Sequence, residues 1–392
     1  MPKCSVIVSL KYAPGLFKEF SLLGNKLSKY SSQVIYVLSK HYQKQSEQTG
    51  LENVFYVSSS LNTIEIIQDS FFCLNKINPV IRKIFNKYLP DFVCVYNPHP
   101  LNFLILKEAC KVNKHSIRSI YLHEPHKPDK YLYGKFGSIY FKIVDFCQAL
   151  SIGYCNSVVL PSPYALELFK IRFHKFKESV HLVPILIPDT PILSKERKYF
   201  TIAGGMNKGK GLDVFCELIE YVAELGLDYH FRICTTSNIN AYINSLSESA
   251  KKITLIENPA KISDSQMFCV HAESKAFFLL HTTATQSGAM TVAFMNGTPV
   301  IARNISAFSQ FIIHWENSYL VPKDCSVSDL LEAMQYVENN QDSLSVAARK
   351  TFESTFSEKN WEQNYLWLLN SLDLHYNVPA KEIADEDEVN EK

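Results

Sequence analysis

Long apolar runs are missing from this 392-residue chain. No stretch approaches the ~20 apolar residues that a membrane-spanning helix needs. The N-terminal MPKCSVIVSLKYAPG holds one short, mostly apolar run before Lys11, too short for a secretory-signal core with a cleavage site. A cytoplasmic location is therefore expected. Charge of one sign is missing too: 40 Lys and Arg stand against 39 Asp and Glu, a net +1. No global field gathers nucleic acid or acidic polymers, and no nucleic-acid-binding motif is recognisable. The ten cysteines include no CxxC pair and no Cys–His set at metal-site spacing. Several lie in apolar runs, such as Cys94 in Phe92–Tyr96 and Cys234 in Phe231–Cys234. They are expected to be reduced core thiols, with neither zinc nor disulfides. A solenoid-type repeat is also absent.

What is present is ordinary for a globular protein: 46% apolar and 20% charged residues, in a chain long enough for two domains. Short apolar runs alternate with amphipathic stretches. Strands are predicted at Cys4–Leu10, Gln33–Leu38, Val54–Val57, Phe92–Tyr96, Ile120–His123, Ser157–Leu160 and Val180–Val183. Helices are predicted at Leu16–Lys29, Ile64–Lys87 (broken near Pro79), Leu101–Val112, Ile139–Ile152 and Ser162–Phe173. Such alternation implies a parallel sheet covered on both faces. Pro188, Pro191 and polar neighbours mark a linker, and a second series starts at Tyr199 and runs through Tyr229–Cys234, Ile253–Ile256, Phe277–Leu280 and Val300–Ala302. The division expected is 1–188, a linker at 189–198, 199–356, a last helix at 357–374, and an acidic, disordered tail at 375–392.

The richest stretch is Phe277–Val321. A buried run, Phe277–Leu280, leads into a loop bearing Thr282, Thr283, Thr285, Gln286 and Ser287, then a helix to Met295, a stop at Asn296-Gly297, and a strand from Pro299 to Ala302. A helix N-terminus behind a polar loop suits a phosphate, although any doubly wound protein has such units and most bind nothing. Ligands in these folds lie beyond the strands' C-terminal ends. That rule selects Asn97 after Phe92–Tyr96, His123 after Ile120–Leu122, Gly204 and Gly205 after Tyr199–Ile202, and the Thr283–Gly288 loop.

The order Ser287-Gly288, helix, Asn296-Gly297-Thr298-Pro299-Val300-Ile301-Ala302, then Asn317–Val321 resembles the donor half of the family 4 glycosyltransferases. Tyr199–Phe215, with AGGMNKGKG at its centre, resembles the glycine loop that opens that half. With weaker features, the resemblance extends to about Leu372. It implies two Rossmann-like doubly wound α/β domains facing across a cleft (GT-B). It further implies an acceptor domain first, a nucleotide-sugar donor domain second, and a final helix crossing back. The activity implied is transfer of a hexose from a nucleoside-diphosphate sugar to a glycan, lipid-linked or protein acceptor. Retention of configuration and no metal or other cofactor are implied with it.

On this resemblance Lys210 and His123 are the catalytic candidates, with Lys210 preferred to Lys208. Gly204, Gly205, Lys208, Thr285, Gln286, Ser287 and Gly288 would hold the donor, and Asn97 and Arg303 would lie on the acceptor side. A lysine in a glycine turn supplies positive charge where a diphosphate departs. AGGMNKGKG is not a Walker A motif, since neither Ser nor Thr follows Lys210. His123 lies in YLHEPHKPDK, which lacks the helical HExxH spacing of a metal site. Each of these residues also has a plain reading, as a solvated loop lysine or a hydrogen-bonded loop histidine. Arg303 could equally pair with a surface carboxylate.

This chain departs from the family pattern at four places. The usual paired glutamates fall at Ala284 and Val292, the usual acid after the next strand at Gln310, and the usual arginine ahead of Lys-Gly at Gly205. A catalytically silent GT-B protein that binds glycan, nucleotide or a partner protein is the rival reading. Basic residues interleaved with aromatics recur in Lys76–Tyr88, Lys130–Phe136 and Lys170–Lys177. They suit peripheral contact with the inner face of a membrane, or a carbohydrate chain, although ordinary amphipathic helices look alike.

Overall fold

A computed structural model describes residues 4–29, 31–58, 65, 74–96, 99–125, 134–192, 196–206 and 209–371. The chain forms two compact units, each drawn from more than one segment. The first comprises Met1–Leu160, Phe169–Val183 and Glu362–Lys392; the second comprises Pro161–Leu168 and Pro184–Trp361.

The first unit is built on β1 (Cys4–Ser9), β2 (Gln33–Ser39), β3 (Val54–Ser58), β4 (Phe92–Tyr96), β5 (Ile117–Tyr121), β6 (Ser157–Leu160) and β7 (Ser179–Leu182). They form one parallel sheet in the order β3-β2-β1-β4-β5-β6-β7. Every residue of β1 and β4 is buried, as a strand covered on both faces requires. The last helix, Glu358–Ser371, returns a tyrosine to this sheet: the hydroxyls of Tyr96 and Tyr365 are 3.0 Å apart, both residues being buried.

The second unit carries β8 (Tyr199–Ala203), β9 (Phe231–Cys234), β10 (Thr254–Glu257), β11 (Ser274–Leu279), β12 (Val300–Arg303) and β13 (Tyr319–Val321). Its parallel sheet runs β10-β9-β8-β11-β12-β13. Side chains alternate across it, as the two-residue period demands. Phe278, Leu280 and Ile301 pack on one face with Phe215 and Leu218 of the helix Leu212–Glu224 and with Leu330 and Met334 of Val327–Asn339. Phe277, Leu279, Val300 and Ala302 pack on the other with Met290 and Phe294 of the helix Gly288–Met295. Two doubly wound parallel sheets are thus what the alternating pattern expressed.

Two expected elements are shifted. β5 begins at Ile117 and ends at Tyr121, so His123 lies beyond the strand. Its polar start hid it: the Arg118 guanidinium is accommodated by the carbonyls of Tyr154 and Ser116, at 2.8 and 2.7 Å. The helix Leu74–Tyr88 is not broken at Pro79 but continues through it. Pro79 is exposed there and has no N–H to give to the helix ladder. The start of the Ile64–Lys87 prediction, apart from residue 65, falls outside the described residues. Among the described residues no helix is long and apolar enough to cross a membrane.

In each sheet the strand order reverses at one place, between β1 and β4 and between β8 and β11. At such a switch point the connections leave in opposite directions and open a crevice at the strands' C-terminal ends.

Candidate functional site

In the second unit, the residues beyond β8, β11 and β12 meet at this switch point. The chain leaves β8 through Gly204, at φ +102°, whose N–H donates to the Cys234 carbonyl at 2.9 Å. The next fixed point is the Met206 N–H, which donates to Ser237 Oγ at 2.8 Å. The loop then closes on β11, where Thr282 N–H donates to the Gly209 carbonyl at 2.9 Å. Gly211 begins the following helix at φ +74°. A Cβ there would lie 2.5 Å from Leu280 Cβ and 2.6 Å from the Leu280 carbonyl oxygen, so backbone shape and close approach both demand glycine. Lys210 is thereby pinned beside the exit of β11. It is partly buried, burial lowers its pKa, and no carboxylate among the described residues pairs with it.

β11 gives way to Leu280 and His281. The His281 ring packs edge-on against Phe308, 5.6 Å between centroids, and among the described residues its buried Nδ1 has no hydrogen-bond partner. Burial, with the charges of Lys210 and Arg303 adding to it, pushes its pKa down to about 4, so the ring is neutral at pH 7. Arg303 closes β12. It is only 7% exposed, and among the described residues its buried Nε has no acceptor and no carboxylate pairs with it. A guanidinium withdrawn from water without a counter-charge is costly, and surrounding structure normally supplies an anion.

Beyond Thr285, which is buried, Ser287 caps the helix Gly288–Met295 by accepting from the Met290 N–H at 3.3 Å. The Ser287 hydroxyl is therefore already engaged. Helical geometry leaves the N–H groups of Gly288 and Ala289 without partners one turn back. Two cations, a neutral histidine and a helix N-terminus thus gather at one end of one sheet, an arrangement suited to an anion.

The other candidates fall elsewhere. Gly205 has open space around its Cα and supplies no side chain. Ala284 and Val292 join the apolar cluster beneath the helix Gly288–Met295, Val292 being buried. Gln310 is engaged at both ends of its amide: Oε1 accepts from the Tyr164 N–H at 2.9 Å, and Nε2 donates to the Ala307 carbonyl at 3.0 Å. His123 belongs to the first unit, half-buried, its ring 4.5 Å from that of Tyr121; burial pushes its pKa down to about 4. Asn97 and Lys208, like His126, lie outside the described residues. His281 escaped the sequence reading altogether. The signal that could have found it is its place as the first polar residue after the run Phe277–Leu280.

Residues 187–353 match the model of the family Glycosyl transferases group 1. No curated protein matches the sequence. Among solved structures, a glycosyltransferase from Rickettsia africae superposes with TM-score 0.67 at 15% identity, covering 95% of this chain and 99% of its own. Sucrose-phosphate synthase from Thermosynechococcus elongatus gives TM-score 0.70 at 13% identity, with 95% and 99% covered. Anabaena HepE, solved in complex with UDP-glucose, gives 0.66 at 11% identity, with 95% and 100% covered. The fold is that of the GT-B glycosyltransferases.

Proposed function

We propose that this protein transfers a sugar, a hexose in the first instance, from a nucleoside-diphosphate sugar to a glycan, lipid-linked or protein acceptor, with retention of configuration. The observation that carries the reading is a pair of cations, Lys210 and Arg303, that have no carboxylate partner among the described residues and both bear on His281 at the C-terminal end of one sheet, inside the segment matching the family. As the bond from sugar to diphosphate breaks, negative charge accumulates on the leaving group. Fixed cations and backbone N–H groups at that point stabilise the transition state more than the ground state. We assign this work to Lys210 and the Gln286–Gly288 backbone, with no metal ion required. His123, neutral at pH 7, would orient the sugar as donor or acceptor of a hydrogen bond. HepE has been solved with UDP as well as with UDP-glucose, which makes uridine the first base to try.

The test is calorimetric titration of the full chain with UDP, GDP and a panel of their sugars, without added metal. Saturable binding of one nucleotide is the expected result. Silence across the panel from folded protein would sink the donor-site reading. A second reading, a silent GT-B binding protein, is favoured by Ala284 and Val292 lying in the apolar cluster and by Gln310 being committed to Tyr164. Nucleotide binding without hydrolysis or transfer across an acceptor panel would favour that reading.

A further inference from the structure

The structure assigns to Arg303, at the end of β12, the second cation of a diphosphate site whose first is Lys210. The inference rests on the donor-site reading and names the residue that site depends on.

Register and alternation place the side chain. Leu279 of β11 pairs with Ala302 of β12, so Arg303 stands one residue past that pair and His281 two residues past it. Ile301 packs on the sheet face covered by the helix Leu212–Glu224, and the two-residue period turns Arg303 to that same face. Lys210 and Gly211 open that helix, and Gly211 is in van der Waals reach of Leu280. Arg303 and Lys210 therefore approach the β11 exit from neighbouring strand ends, and both charges bear on the His281 ring between them.

Burial makes the arrangement informative. An arginine exposed to water can remain unpaired at little cost, whereas one that is 7% exposed with an orphaned Nε cannot. The neighbouring His281 supplies no negative charge in either protonation state, and among the described residues its Nδ1 has no partner. A bound diphosphate would neutralise Arg303 and Lys210 together. The planar guanidinium suits two phosphate oxygens, and the lysine acts as a point charge.

Two measurements test this on the full chain. The first is thermal denaturation with and without inorganic pyrophosphate, for wild type, Arg303→Gln, Arg303→Lys and Arg303→Met. Wild type should gain stability with pyrophosphate in proportion to the logarithm of its concentration. Arg303→Gln and Arg303→Met should bind pyrophosphate at least tenfold more weakly, and Arg303→Lys should retain part of the affinity. Arg303→Met should melt no lower than wild type without ligand, because it removes an uncompensated charge. Should that variant fail to fold, the glutamine and lysine variants still decide the matter.

The second measurement is UDP affinity of the same variants. Nucleotide binding by wild type with unchanged affinity in Arg303→Gln would overturn the assignment of Arg303 and leave the donor reading standing. Pyrophosphate binding that depends on Arg303, with no affinity for any nucleotide, would leave Arg303 as an anion ligand and remove the donor reading. Affinities for pyrophosphate within twofold across all variants, or none in wild type, would overturn the inference.

Discussion

Lys210 and Arg303 show how a strand end converts position into chemistry. Neither is notable by residue type, yet Lys210 is fixed by the glycines around it and Arg303 by the register of β12. Lys210→Ala should weaken UDP binding about tenfold or more, the loss of one charge-assisted contact at ~1.5–3 kcal/mol. Unchanged calorimetric affinity would remove Lys210 from the site. His123→Ala should lower kcat far more than it raises the donor KM, and wild-type turnover would retire the orienting role. Lys210 and the Ser287-Gly288 turn were legible in the sequence because glycines and a polar loop announce a helix start. Arg303, expected on the acceptor side, was visible only as an arginine after an apolar run; its place in the second unit among cations and without a carboxylate was not. Whether a carboxylate lies nearby depends on residues far away in the chain, which no local pattern contains. His281 was hidden for the same reason, since its environment is set by Lys210, Arg303 and Phe308 together.

At the scale of the element, the strand–loop–helix–strand unit around Gly288 was readable in order, because burial on both faces writes continuous apolar runs, although β11 starts at Ser274 and not at Phe277. β5 was misplaced because Arg118 in its polar first half is satisfied by the Ser116 carbonyl just ahead of it and by the distant Tyr154 carbonyl. The helix Gly134–Ile152 has a property the sequence only hinted at. It exposes Ile143, Phe146 and Leu150, spaced to share one face, and Ile171 stands exposed next to Arg172, whose guanidinium bonds Gln148 of that helix. Lys142 and Lys170 are exposed nearby in the chain. An apolar stripe with basic neighbours fits an anionic bilayer surface. Phe146, 64% exposed, is the side chain to test. Phe146→Asp should reduce co-sedimentation with phosphatidylserine vesicles several-fold without changing UDP affinity. Equal sedimentation of variant and wild type would argue against membrane contact through this helix.

The whole molecule carries a built-in sensitivity to acid. Burial pushes His123 and His281 to about 4 and His271, fully buried against Phe277, to about 3. Unfolded, these rings take up protons from about pH 6.5 downward. The folded chain therefore binds fewer protons than the unfolded one between about 6.5 and 4, and stability falls as pH drops through that window. His271 alone contributes a slope of up to ~1.4 kcal/mol per pH unit. Melting temperature should decline steadily from pH 7 to pH 4, and His271→Phe should flatten the decline. A melting temperature independent of pH across that range would contradict the burial of these rings.

The interleaving of segments matters for taking the molecule apart. A fragment ending at residue 188 would carry Pro161–Leu168 of the other unit and would lack Glu362 and Tyr365. Lys26 would lose its 2.7 Å ion pair with Glu362, and Tyr96 its hydroxyl partner Tyr365. Such a fragment should melt lower, by circular dichroism, than the same fragment with residues 357–371 fused back; equal melting would show that the return segment is dispensable. In the other half, Gln310 would lose Tyr164 and Thr285 would lose Ser162. Gene shuffling that joins the front of one homologue to the back of another at a single junction therefore inherits mismatched ends on both sides. A workable chimaera has to carry four splice sites, so that each sheet travels with the short pieces that complete it.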